Sequence, residues 1–306
     1  MKRIVYILTT LFLLASCSSD ELVPVTQNDW TPNISRNATG GKELRIVGRK
    51  NGDTKFNKIL IPASDGGNAA WKNNDRPHGD KVAESNEFIA FAPADSLRSL
   101  PTSITHDGVT EYFVDYQNKK PDSFEMKPLM SQLKLHVWVE GTEGEAPQNT
   151  CLLVYTEADL DFPGKPFKHL SNRQRINLNE FVSRPNLGQD DPLYMKYSMK
   201  THIVVIPQTL PAGEEVLWFN IKDAQYYLKP EKDIQLKPGF ITSLTLPVTY
   251  VKQEEEGGDS GEGGETVTPP AKKVIAIDES IVTITPWQPG STINGSIPTP
   301  NNSDNN

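Results

Sequence analysis

The stretch Ser131–Glu140, SQLKLHVWVE, constrains the fold more than any other segment of the chain. Leu133, Leu135, Val137 and Val139 fall on one side of an extended backbone, and Lys134, His136, Trp138 and Glu140 fall on the other. Side chains alternate with a period of two in a strand, so this is the pattern of an antiparallel β-strand with one face in a core. The same texture recurs in LRIVG, KFNKILIP, EFIAFAP, TEYFVDYQ, CLLVYT, THIVVIPQ, VLWFNI, the YYL of Tyr226–Leu228 and ITSLTLPVTYV. Pro62, Pro93 and Pro207 stop three of these runs, and the 24 Pro and 21 Gly supply turns at the required frequency. Helical periodicity is weak throughout; its best candidate is the short NLNEFVS, Asn177–Ser183. Between Ala63 and Glu87 the chain reads as a polar loop with Trp71 as its one large apolar side chain. Many short strands at turn-punctuated spacing predict an all-β sandwich architecture.

The ends carry different signals. Lys2 and Arg3 precede an apolar run, Ile4–Leu14, that is too short to span a bilayer, and small residues follow. Residues 1–16 therefore read as a secretory signal peptide. Its ending, Leu14-Ala15-Ser16-Cys17, resembles a bacterial lipobox, in which the cysteine is acylated and becomes the mature N-terminus. Stable anchoring then takes several acyl chains on that residue. Residues 17–40 read as a polar tether or loosely attached leader. At the other end, residues 253–272 are acidic and Gly-rich, a self-repelling linker. Strand character returns in KVIAIDESIVTITPW, and residues 291–306 read as a disordered tail.

Composition narrows the function classes. The formal charge is −8, and loss of residues 1–16 removes Lys2 and Arg3 and no acid, which moves it to about −10. That balance argues against nucleic acid or anionic lipid as partners. Besides Cys17 the only cysteine is Cys151, which leaves no pair for a disulfide once Cys17 is acylated; within CLLVY it reads as a small buried hydrophobe. His78, His106, His136, His169 and His202 are scattered, with no metal-ligand spacing. No nucleophile elbow, phosphate-binding glycine loop or H-E-x-x-H motif is present. Asp159 and Asp161 read as solvated loop charge rather than a Ca²⁺ site. The sequence thus predicts neither enzyme nor cofactor.

Six segments together resemble the fimbrillins, the lipoprotein pilin-like proteins of Bacteroides-type Gram-negative anaerobes. They are the lipobox, EFIAFAP, SFEMKPLMSQLKLHVWV, THIVVIPQTLPAG, IQLKPGFITSLTLPV and VIAIDESIVTITPW. Each is a plain β pattern; their order and their coupling to a lipobox carry the likeness. The family often has a histidine near the position held here by Pro128. The resemblance implies two tandem transthyretin-like β-sandwich domains, placed at 41–120 and 121–290, on an outer-membrane or fimbrial lipoprotein. It also implies trimming after an arginine near the N-terminus, which removes a leading strand and opens a groove. A terminal strand of another subunit fills that groove. Arg36 is the best-placed cleavage residue, with Arg45 and Arg49 as alternatives, and an ordinary solvated arginine stays open as its reading. The candidate donor strand carries Val274, Ile275, Ile277, Ile281, Ile284 and Trp287, although pairing of that strand within its own domain also stays open. The implied partners are other pilin subunits, the outer membrane through the lipid anchor, and a host glycan or protein. The rival expectation is a non-polymerising surface lipoprotein that binds glycan or host protein through aromatics such as Trp71 or Trp138.

Overall fold

The strand runs read from the sequence become eighteen strands in a computed structural model, which describes residues 30–34, 39, 41–63, 68–94, 99–140, 147–162, 167–181, 198–222, 224–249, 272–277 and 282–287. In chain order the first seven are β1 (Leu44–Lys50), β2 (Asp53–Ile61), β3 (Ala70–Trp71), β4 (Glu87–Ala92), β5 (Ser103–Thr105), β6 (Phe113–Gln117) and β7 (Lys127–Pro128). All but β5 form one six-stranded sheet in the order β3-β2-β1-β4-β6-β7. Asn51-Gly52 makes the β1–β2 turn with both residues at positive φ, the backbone that a tight two-residue hairpin requires.

Register assigns the faces of this sheet. Gly48 opposes Phe56 and Phe88, and Ala92 opposes Phe113. Leu44, Ile46, Phe56, Leu60, Trp71, Phe88, Ala90, Ala92 and Phe113 therefore share one face, while Arg45, Val47, Ile89, Phe91 and Val114 share the other. Both faces of β4 are buried from Phe88 to Ala92, so the sheet is covered on each side.

The remaining strands are β8 (Ser131–Glu140), β9 (Gln148–Leu160), β10 (Phe167–Asn177), β11 (Ser198–Val205), β12 (Gln208–Leu210), β13 (Leu217–Ile221), β14 (Ala224–Pro230), β15 (Ile234–Leu236), β16 (Phe240–Thr249), β17 (Lys272–Ile277) and β18 (Val282–Pro286). One sheet runs β10-β9-β13-β14-β17 and a second runs β11-β8-β16-β18. They enclose a core of Leu133, Leu135, Val137, Val139, Leu152, Val154, Phe219, Tyr226, Leu244 and Leu246, among others. This is the predicted β-sandwich, and the inward set on β8 is the one its alternation specifies.

Several expectations need correction. β8 pairs antiparallel with β11 but parallel with β16, because the chain visits the opposite sheet between them and returns in the same direction. Cys151 is half-buried rather than enclosed: Thr150 and Leu152 take the inward positions on β9, which leaves Cys151 on the outer face. The supposed helix near Asn177–Ser183 is a single 3₁₀ turn, Leu178–Phe181. The one α-helix described, α1 (Gly79–Glu84), lies in the segment read as a polar loop. Its six residues bury Val82 alone, so it exists through docking on the sheet and shows no periodic stripe.

β7, which follows Pro121, still pairs with β6, so the first sheet continues past that residue. The halves are also interleaved. β5 leaves the first sheet and pairs antiparallel with β9, setting Ser103, Ile104 and Thr105 against Asp159, Ala158 and Glu157. Backbone bonds from Leu160 N to Thr102 O (2.8 Å), His106 N to Thr156 O (2.6 Å) and Val204 N to Gly108 O (2.8 Å) extend the seam. Arg49 donates to the Phe162 carbonyl at 3.2 Å, and the Phe162 ring meets Phe91 edge-on at 5.9 Å. The β9–β10 hairpin thus reaches one face of the first sheet.

Candidate functional site

The opposite face of the first sheet holds the segment Trp30–Ile34. Its burial alternates: Trp30, Pro32 and Ile34 are buried, Thr31 is intermediate and Asn33 is exposed. An extended chain with period two gives this when one side faces a core. The Trp30 ring lies 5.9 Å from Phe56, 5.9 Å from Trp71 and 5.5 Å from Phe88. Its indole N–H donates to the Pro121 carbonyl at 2.8 Å. Trp71 in turn donates its indole N–H to the Thr31 hydroxyl at 3.0 Å. Asn33 N–H donates to Asp122 O at 2.8 Å, Phe124 N–H to Asn33 O at 3.1 Å, and Ala63 N–H to Ile34 O at 3.3 Å. With Ile34 only 2% exposed, the segment is a plug in the first core and not the loose leader expected for it. The signal was present as W-x-P-x-I, three apolar residues at alternating positions inside a polar stretch.

Arg36 lies outside the described residues, as do Cys17 and Ile281. The other two arginines considered for trimming are built into β1: Arg45 is buried and bonds Asn57 Oδ1 at 2.9 Å, and Arg49 is half-buried.

At the far end of the chain both halves of the candidate donor segment pair within this molecule. β17 runs parallel to β14 with Val274 opposite Tyr227, Ile275 opposite Leu228 and Ile277 opposite Pro230. β18 runs antiparallel to β16, with Ile284 opposite Thr242. The two strands sit at the edges of different sheets, so each has a single neighbour among the described residues. On β18 Thr283 to Pro286 are exposed, and Ile284 is 42% exposed. Trp287 behaves differently. It is 5% exposed, belongs to the first core and lies 5.8 Å from the Phe113 ring. Its backbone N–H donates to Gly239 O at 2.8 Å, while its indole N–H meets no acceptor among the described residues.

A polar chain joins the halves near this junction. Lys42 Nζ donates to the Glu111 backbone carbonyl at 3.1 Å, Gln132 Nε2 donates to Glu111 Oε1 at 3.2 Å, and His202 Nε2 bonds Gln132 Oε1 at 2.8 Å. Burial, with the nearby Lys134 charge, pushes His202 down to about 4. Burial likewise lowers Lys42 and raises Glu111. The folded state therefore refuses a proton that an unfolded chain accepts below pH 6.5. His202 should make stability fall as pH drops from 6.5 towards about 4, with its contribution constant below that range. Denaturation of His202→Gln across this window should give a shallower decline than wild type; an identical slope would remove His202 from the account.

Of the aromatics considered for glycan binding, Trp71 is enclosed in the first core and cannot meet a sugar ring from solvent. Trp218 is buried beneath Arg175, whose guanidinium stands 4.0 Å from its ring centroid. The side chain of Trp138 lies outside the description. Among the described residues no three His, Cys, Asp or Glu converge as metal ligands, and no helix is long and apolar enough to cross a membrane.

No family model matches the chain, and no curated protein matches it. Solved structures do. The chain is similar to a "putative cell adhesion protein" of Bacteroides thetaiotaomicron, with 17% identity over 78% of this chain and 94% of that one and a TM-score of 0.41. A protein of the same description from Bacteroides uniformis gives 12% identity over 83% and 95%, with a TM-score of 0.45. A fimbrial protein of Bacteroides ovatus gives 13% identity over 73% of this chain and 49% of that one, with a TM-score of 0.31. These three structural neighbours are Bacteroides proteins described in adhesion or fimbrial terms.

Proposed function

We propose that this chain is a structural or accessory subunit of a cell-surface fimbria, lipid-anchored through Cys17, which assembles by β-strand exchange and supports adhesion. The observation that carries the reading is the plug: Trp30, Pro32 and Ile34 occupy a slot in the first core, and Arg36 follows two residues later. Cleavage after Arg36 would detach the plug covalently from the domain it fills. Each large apolar side chain withdrawn exposes surface worth about 1.5–3 kcal/mol, and backbone groups on Ala63, Asp122 and Phe124 lose their partners. A donated strand restores both terms, because alternating side chains fill the slot while its backbone re-pairs the edges. The segment from β17 to Trp287 is the candidate donor, held at two sheet edges and preceded by the 253–272 linker. Each subunit then offers one donor and one acceptor, a heterologous contact that builds a filament rather than a closed dimer.

The test is trimming of the purified full chain by an arginine-specific protease. Wild type should lose its leader and form a ladder of multimers on native electrophoresis, while Arg36→Ala should keep its leader and stay monomeric. Trimmed protein that has lost residues 30–34 and remains monomeric would overturn self-assembly.

A further inference from the structure

We propose that Trp287 is a latch through which the docked leader controls release of the terminal strand. The inference rests on the strand-exchange reading for its purpose, but its test does not. Among the described residues β18 has little else to hold it: one neighbour, five backbone pairs with β16, and exposed side chains from Thr283 to Pro286. Val282 packs half-buried against the second core, and Trp287 alone is deeply seated. The seat of Trp287 lies in the first core, not in the sandwich to which β18 belongs.

The leader is anchored in that same core. Register places Phe88, Ala90 and Ala92 along one face of β4, with Phe113 beside Ala92 across the β4–β6 pair. Trp30 packs on Phe88 at one end of this row and Trp287 packs on Phe113 at the other. Leader and terminal strand are therefore two occupants of one close-packed face. Cores of this density do not deform continuously, so removing one occupant lets the row repack and loosens the other. In the intact chain the leader keeps the donor strand at home. Loss of the leader opens the acceptor slot and frees the donor together, so an untrimmed subunit neither receives nor donates.

Hydrogen exchange by mass spectrometry on the untrimmed, monomeric full chain tests this. Trp287→Ala should speed exchange across 282–287 by roughly tenfold or more, while β8 and β13 keep wild-type protection. Trp287→Phe should stay near wild type, because the indole N–H has no acceptor to lose among the described residues. Trp30→Ala should also speed exchange at 282–287, although Trp30 belongs to the leader. Ile89→Ala is the control: it truncates the opposite face of the same strand and should leave 282–287 unchanged. Unaltered exchange there in Trp30→Ala would overturn the coupling. So would equal acceleration by Ile89→Ala, since the effect would then be general loosening of the domain. A trimmed protein that never multimerises would defeat the assembly reading and leave this result standing.

Discussion

Truncating Trp30 to alanine is expected to lower the stability of the first sheet and its core by about 3–5 kcal/mol, the range for removing a buried aromatic side chain. The indole touches Phe56, Trp71 and Phe88, so its loss leaves a hole bounded by three rings that repacking fills only in part. It also strips the Pro121 carbonyl of its buried donor. Because Trp30 lies outside every strand of the sheet, the first sheet itself should survive while the leader loses its grip. Urea denaturation should show the drop as an earlier midpoint, and trimming by an arginine-specific protease should run faster. A loss below about 1 kcal/mol would mean that the segment merely lies on the surface, since that is the scale of surface substitutions.

Gly48→Ala is the second large effect, from the opposite cause. Gly48 sits in β1 between Phe56 and Phe88, and a Cβ there would run into the Phe56 ring and approach Ser85 Oγ to 2.6 Å. Ser85 is fixed through its bond to the Lys81 carbonyl at 2.8 Å, and Phe56 is pinned beneath Trp30, so neither yields freely. Overpacking of this kind costs about 1–3 kcal/mol. The strain falls on the ring that supports the leader, so Gly48→Ala should lower the denaturation midpoint and raise leader exchange together. The double variant Gly48→Ala/Phe56→Leu should recover part of the loss. Without recovery, crowding of the ring is the wrong cause.

Which features could be read from residues alone follows a physical rule. β4, β8, β11, β13 and β16 were visible because burial of one or both faces imposes alternation or an unbroken apolar run. β10 is not legible in this way: FKHLSNRQRIN is an edge strand with seven of its eleven residues exposed and none buried, so no alternation marks it. α1 escaped for the related reason that a single buried valine leaves no period to detect. β5 was invisible because three residues are recruited to a distant sheet by β9. In the candidate site, the donor segment was legible as returning β character after an acidic linker. The plug is concealed because Trp30 and Ile34 stand among polar residues, where composition says tether and only their spacing says strand. That Trp287 serves a core other than its own sandwich depends on tertiary placement that no local pattern encodes.

The short strand Ser103–Thr105 has a mechanical consequence. Because it is hydrogen-bonded into the sheet of the following half, a pull on the two ends cannot swing the halves apart about a single connecting peptide. The pull must first break the bonds of that seam. A protein built this way behaves under tension as one stiff link, and a string of such links would carry load without lengthening at each joint.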